Sequence, residues 1–176
     1  MNQNLLTFLI LICFSSSLYA VNDHAILSDK TPKALSEYGF FSDPLNQIPN
    51  KGVVPYELIT ALFSDYTDKH RFVYLPKGTI AKYDGEEVFD FPLGAALIKT
   101  FSYQTNEGGT LLLETRLLLN KEDGWDALTY VWDIDRGDAY LALGGKTIEV
   151  TNAITPTNEN FIRYRAPNKN QCKECH

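Results

Sequence analysis

The sequence predicts a mainly β protein: a sandwich-like domain of about eight strands, with one or two short helices near its N-terminus. Three observations carry this. Short runs of alternating or continuous apolar character follow one another from Arg71 onward. Turn signals separate them, notably Asp84-Gly85 and Asn106-Glu107-Gly108-Gly109. Ten Tyr, ten Phe and two Trp stand against a single Met, a balance that suits pleated, half-buried surfaces.

Taken in order, residues 1–20 read as a secretory signal peptide. Leu5 to Phe14 is a short apolar run, followed by Ser15-Ser16-Ser17 and a cleavage site near Ala20. That run is too short to span a bilayer as a helix. Its n-region carries no Lys or Arg, and Ile12 before Cys13 argues against lipoprotein processing. Export to the periplasm, or another compartment outside the cytoplasm, is the expected localisation.

Residues 21–54 form a lead-in with a short helix and a loop. Thr31 suits an N-cap, Pro32 the first helical position and Gly39 the C-terminal stop. Pro44, Pro49 and several Asn and Asp make Phe40 to Gly52 irregular. A helical turn is expected over Pro55 to Leu62. Residues 55–165 hold the β-rich domain, with strands expected at Arg71–Leu75, Thr79–Tyr83, Glu86–Phe91, Ala95–Tyr103, Leu111–Leu119, Ala127–Asp133, Ala139–Leu143, Thr147–Val150 and Phe161–Arg165. Residues 166–176 are the C-terminal tail. In Leu111–Leu119 the odd positions share one face, leaving Leu112, Glu114, Arg116 and Leu118 on the other. Leu128, Tyr130, Trp132 and Ile134 share a second core-forming face.

The chain has 176 residues, room for one domain with a sizeable core. Its formal charge of −6 repels phosphate backbones, and no Lys/Arg stripe offsets it, so nucleic acid is excluded as a partner class. The acidity suits solubility and the steering of a basic redox partner protein. No apolar span remains after the signal. The sequence lacks Gly-x-Ser-x-Gly, a phosphate-cradling Gly loop and His-Glu-x-x-His, so an electron-transfer protein is expected rather than a catalyst. The pair Glu114 and Arg116, two apart on one strand, is expected to bridge as a structural ion pair.

Once Cys13 leaves with the signal, the mature chain holds two cysteines, both in Cys172-Lys173-Glu174-Cys175-His176. Two thiols three positions apart, followed at once by an imidazole, match the attachment spacing of haem c. Cys172 and Cys175 would make the covalent links to one haem, and His176 would ligate its iron from the proximal side. A thioredoxin-like motif needs a βαβ setting, and structural zinc needs four ligands. A plain disulfide loop remains the simplest competitor. With Met1 removed, no Met is left as a distal ligand, so His70 and His24 are the internal candidates, His70 being the one carried forward. The alternative for the whole protein is a β-sandwich module that binds a protein or carbohydrate without functional haem.

Several segments add a resemblance: Gly39-Phe40-Phe41, Pro55-Tyr56-Glu57-Leu58, Leu62-Phe63-Ser64-Asp65-Tyr66, Lys69-His70-Arg71-Phe72 and Phe89-Asp90-Phe91-Pro92-Leu93-Gly94. Lys99-Thr100-Phe101, Leu113-Glu114-Thr115-Arg116-Leu117-Leu118, Asp123-Gly124-Trp125, Leu128-Thr129-Tyr130-Val131-Trp132 and Tyr164-Arg165-Ala166-Pro167-Asn168 continue the series, which leads into Asn170-Gln171-Cys172. Together they resemble the signatures of a family of secreted bacterial dihaem c-type cytochromes of poorly defined function. Similar β-rich regions accompany quinoprotein-like sugar dehydrogenases. The resemblance implies a β-rich N-terminal region ending at its first attachment motif. Family members continue past that motif, so the chain is expected to stop where a cytochrome domain begins.

Overall fold

The computed structural model describes residues 20–83, 85–155 and 161–173. The signal segment before Ala20 lies outside them. Ten strands make the protein mainly β, as the sequence predicts. Six of them, β3 (Val53–Pro55), β4 (Asp68–Tyr74), β5 (Ala96–Gln104), β6 (Thr110–Lys121), β7 (Gly124–Asp133) and β8 (Asp138–Leu141), form one antiparallel meander in sequence order. Two small ribbons accompany it: β1 (Phe41–Asp43) with β2 (Ile48–Pro49), and β9 (Lys146–Val150) with β10 (Ile162–Ala166).

Local chemistry explains the long hairpins. The Asn106–Gly109 turn joins β5 to β6, where the Thr105 amide donates to the Gly109 carbonyl at 2.8 Å and Gly108 takes a φ of 82°. Such a φ favours glycine, because a Cβ would crowd the neighbouring carbonyl. Glu122 and Asp123 turn β6 into β7, closed by the Lys121–Gly124 pair.

One face of the meander is sealed by the N-terminal segment: α1 (Asp23–Leu27), a 3-10 turn (Leu35–Tyr38) and Phe40. They bury Phe72, Tyr74, Ile98, Leu117, Leu119, Leu128, Tyr130 and Trp132. The few polar groups there are paired. Thr100 and Thr115 hydroxyls lie 2.7 Å apart, and the Trp132 indole donates to Thr115 Oγ1 at 3.0 Å. The Tyr130 hydroxyl donates to the Pro32 carbonyl at 2.9 Å and lies 3.1 Å from the Tyr38 hydroxyl. The β9–β10 ribbon packs over part of the opposite face, burying Phe101, Tyr103, Leu113 and Val131 with Val150, Tyr164 and Ala166. This stacking gives the sandwich-like arrangement.

Five expectations need correction. The strict alternation read into Leu111–Leu119 fails, because a β-bulge falls opposite Phe101 and Ser102. Glu114 pairs with Phe101 and Leu112 with Ser102, leaving Leu113 as the extra residue. A bulge of one residue exchanges the faces beyond it. Leu111 and Leu113 therefore pack under the β9–β10 ribbon, while Leu112 joins the sealed core.

The strands expected at Thr79–Tyr83 and Glu86–Phe91 reduce to a single Lys82–Asp90 bridge, with residue 84 outside the described set. The apolar side chains of the segment, Ile80, Tyr83, Val88 and Phe89, stay exposed, and a two-stranded hairpin with no layer packed on it is marginal. No helical turn forms over Pro55–Leu62; Val53–Pro55 instead pairs with β4. The helix expected from Thr31 is shorter, running Leu35–Tyr38, because the Glu37 carboxylate caps the amides of Lys33 and Ala34 at 2.9 and 2.8 Å. Gly39 does end it in a left-handed conformation, φ 69°. Ile134 lies just past β7 and is exposed rather than part of the core.

Candidate haem attachment site

The tail leaves β10 at Ala166 and turns into α2 (Lys169–Lys173), which includes Cys172. Its first turn is closed by reciprocal bonds. The Gln171 amide donates to Asn168 Oδ1 at 2.9 Å, and the Asn168 amide donates to Gln171 Oε1 at 3.0 Å. That is a capping box built from Asn and Gln, and it satisfies two amides a helix start leaves unpaired. Lys169 Nζ meets Asp126 Oδ1 on β7 at 2.6 Å, and the Lys169 amide donates to the Leu143 carbonyl at 3.1 Å. β8 pairs only with Tyr130–Asp133 of β7, and α2 packs against β7. The start of the attachment peptide is thus tied to the sheet. Cys175 and His176 lie outside the described residues.

The donor set suits haem c: two thiols for covalent links and an imidazole that iron takes as an axial ligand. Among the described residues no group of three His, Cys, Asp or Glu side chains converges to hold a metal ion.

His70 sits in β4 and pairs across the ladder with Thr100. Its Nε2 lies 3.2 Å from Ser102 Oγ, half-buried at the end of the sealed face. β4 and β7 are three ladder steps apart, roughly 14 Å at ordinary strand spacing. His70 thus lies on the sealed face, on a strand three steps from the one α2 packs against. His24 lies exposed on α1, also on the sealed side.

The second polar assembly lies on the face partly covered by β9–β10. Glu114 is fully buried. Its Oε1 accepts from Arg116 Nε at 3.0 Å and from the Tyr164 hydroxyl at 2.5 Å. Among the described residues, its Oε2 has no hydrogen-bond partner. The expected Glu114–Arg116 ion pair is present, with Tyr164 added. Burial, together with the Glu114 carboxylate, drives the Tyr164 hydroxyl well above the ordinary phenol range.

Beside this cluster, cross-strand pairing sets cations next to one another. Arg71 of β4 lies opposite Lys99 of β5, and Lys99 opposite Arg116 of β6. Lys99 Nζ and the Arg116 guanidinium both lie over the Phe101 ring, at 4.8 and 4.4 Å from its centroid. Burial lowers the Lys99 ammonium below its usual range, helped by Arg116, Arg71 and Lys69 and opposed by Glu114. Arg71 is buried and reaches the exposed Glu57 carboxylate at 3.8 Å.

Reading the sequence alone missed this row. Its signal was there, in Lys99, Glu114 and Arg116 interrupting apolar strands, but the residues meet only through the register of three strands.

No protein-family model matches the chain, and no curated protein or solved structure matches it. Nor is any helix among the described residues long and apolar enough to cross a membrane.

Proposed function

We propose that this protein carries one covalent haem c on Cys172 and Cys175, with His176 as the proximal iron ligand, and passes single electrons outside the cytoplasm. The observation that carries the reading is the Cys-x-x-Cys-His sequence itself, entered through the capped helix that Lys169 ties to Asp126. When bound, the haem supplies a one-electron redox couple. The protein's own part is to anchor the tail, limit solvent access and set the local charge. A pyridine haemochrome spectrum with intact mass, on protein exported alongside a haem c maturation system, tests it. One haem per chain is expected; properly matured protein without covalent haem would overturn it.

One observation favours a second reading, a binding module. Two segments expose large apolar side chains: Ile59, Leu62 and Phe63 before β4, and Ile80, Tyr83 and Val88 between β4 and β5. Apolar side chains clustered in exposed segments suit contact with a partner. Retained capture of a protein or glycan by haem-free protein would support that reading; haem-dependent capture would count against it.

A further inference from the structure

The face of the sheet beside the β9–β10 ribbon is only half covered, and two rows of residues cross it in register. Val73, Leu97, Leu118 and Ala127 lie directly opposite one another on β4, β5, β6 and β7. Two residues along, Arg71, Lys99, Arg116 and Thr129 do the same. Val73, Leu97, Leu118, Lys99 and Arg116 are all half-buried, whereas their counterparts on the sealed face are buried outright. An apolar row thus runs beside a cationic one, buried at Arg71, Ala127 and Thr129 at the row ends and still open to a ligand between them.

Folding alone does not account for the cationic row. Like charges directly opposite on neighbouring strands destabilise a sheet. Here Arg71, Lys99 and Arg116 are adjacent on three strands, in a chain of net charge −6. Among the described residues, the carboxylates facing them include Glu114, whose Oε1 is shared between Arg116 and Tyr164, and the exposed Glu57. Lys69 flanks the row, with Asp65 and Asp68 nearby. Among the described residues, no carboxylate lies within ion-pair distance of Lys99. The arrangement complements an anionic ligand with a flat apolar body and carboxylates along one edge.

We infer that this half-covered face is the seat of the haem: Val73, Leu97 and Leu118 meet the macrocycle, and Lys99 and Arg116 receive its propionate carboxylates, with the buried Arg71 adding positive charge behind them. The inference rests on the haem reading above. Haem c has that shape and charge, an apolar ring edged by two carboxylates. Both rows end on β7, at Ala127 and Thr129, and α2 packs against the same strand, its Lys169 meeting Asp126 one position before Ala127. Arginine forks bind carboxylates in bidentate fashion, and a cation beside the propionates favours the reduced haem by direct Coulomb attraction to the added electron.

The test is the midpoint potential of the haem-loaded full chain. Lys99→Glu is expected to lower it while leaving one covalent haem per chain. Lys51→Glu, the same charge change at an exposed turn on the sealed side, is expected to leave it near wild type. Lys99→Gln should shift it in the same direction by less, and keeps the comparison open if the glutamate variant fails to fold. Equal potentials for Lys99→Glu and Lys51→Glu, at full haem content, would overturn the seat and leave the attachment reading standing. A matured wild-type chain without haem would overturn both.

Discussion

The two faces of the six-stranded sheet are built from the same strands, yet they solve different problems. The face under the N-terminal segment holds Phe72, Ile98, Leu117, Leu128, Tyr130 and Trp132, with its few hydroxyls paired. The face beside β9–β10 holds a buried carboxylate, one oxygen of it unpaired among the described residues, and a row of adjacent cations. The first arrangement maximises burial and leaves little polar cost. The second spends stability, because buried charge is favourable only when fully paired. A face that keeps charge where hydrocarbon would pack better is shaped by what it meets, and the contrast points to the second face for function.

Mutations can break or sharpen this contrast. The largest effect is expected on the sealed face. Leu117→Ala should cost about 2–5 kcal/mol, since the side chain is fully enclosed and the cavity cannot collapse onto rigid neighbours. Urea denaturation followed by tryptophan fluorescence reads this; a loss below about 1 kcal/mol would mean that the face is less tightly packed than described.

Alkaline pH probes the same face. Burial pushes the Tyr38 hydroxyl up to about 12 from its usual 10. A raised folded pKa means that the native state holds its proton where the unfolded chain has lost it. The associated stability is fully present below pH 10 and is lost as pH rises from about 10 to 12. The loss is on the order of 2–3 kcal/mol from Tyr38. Tyr38→Phe should make the decline in that window shallower, the raised Tyr74, Tyr130 and Tyr164 supplying the rest, and an unchanged slope would contradict the assignment.

The charged face should respond in the opposite way to concerted change. Glu114→Gln is expected to cost roughly 1–3 kcal/mol, because Arg116 and Tyr164 lose their ionised acceptor. Replacing the group together, as Glu114→Leu with Arg116→Met and Tyr164→Phe, should recover wild-type stability or exceed it. If the triple variant stays as unstable as the single one, the cluster serves the fold and the contrast between the faces weakens.

The smallest effect belongs to the tie at the edge of the sheet. Lys169→Ala removes a partly exposed ion pair with Asp126 and should cost about 0.2–1 kcal/mol in chemical denaturation, less at high salt.

Much of this architecture is local and was legible in the chain. The Asn106–Gly109 turn, the long apolar strands around it and the Gly39 helix stop follow from short-range turn chemistry and period-two patterning. So did the Glu114–Arg116 pair, which needs only alternate positions on one strand. The hairpin around Gly85 was over-read, because its apolar flanks Ile80, Tyr83 and Val88 stay exposed and two strands without a packed layer are marginal. The bulge at Leu113 was invisible, because nothing in Leu111–Leu119 marks the extra residue and the partner strand decides where it falls.

What the sequence alone determined is the chemistry a few neighbouring residues can specify: the β class, the main hairpin turns and the Cys172, Cys175 and His176 spacing. What only the tertiary structure decided is which residues face one another across strands. Register brings Arg71, Lys99 and Arg116 together from three strands, places Tyr164 on Glu114 and sets α2 beside β7. Those contacts join residues dozens of positions apart. A linear pattern carries no information about register until the strands pair, so the charged face exists only in the folded sheet.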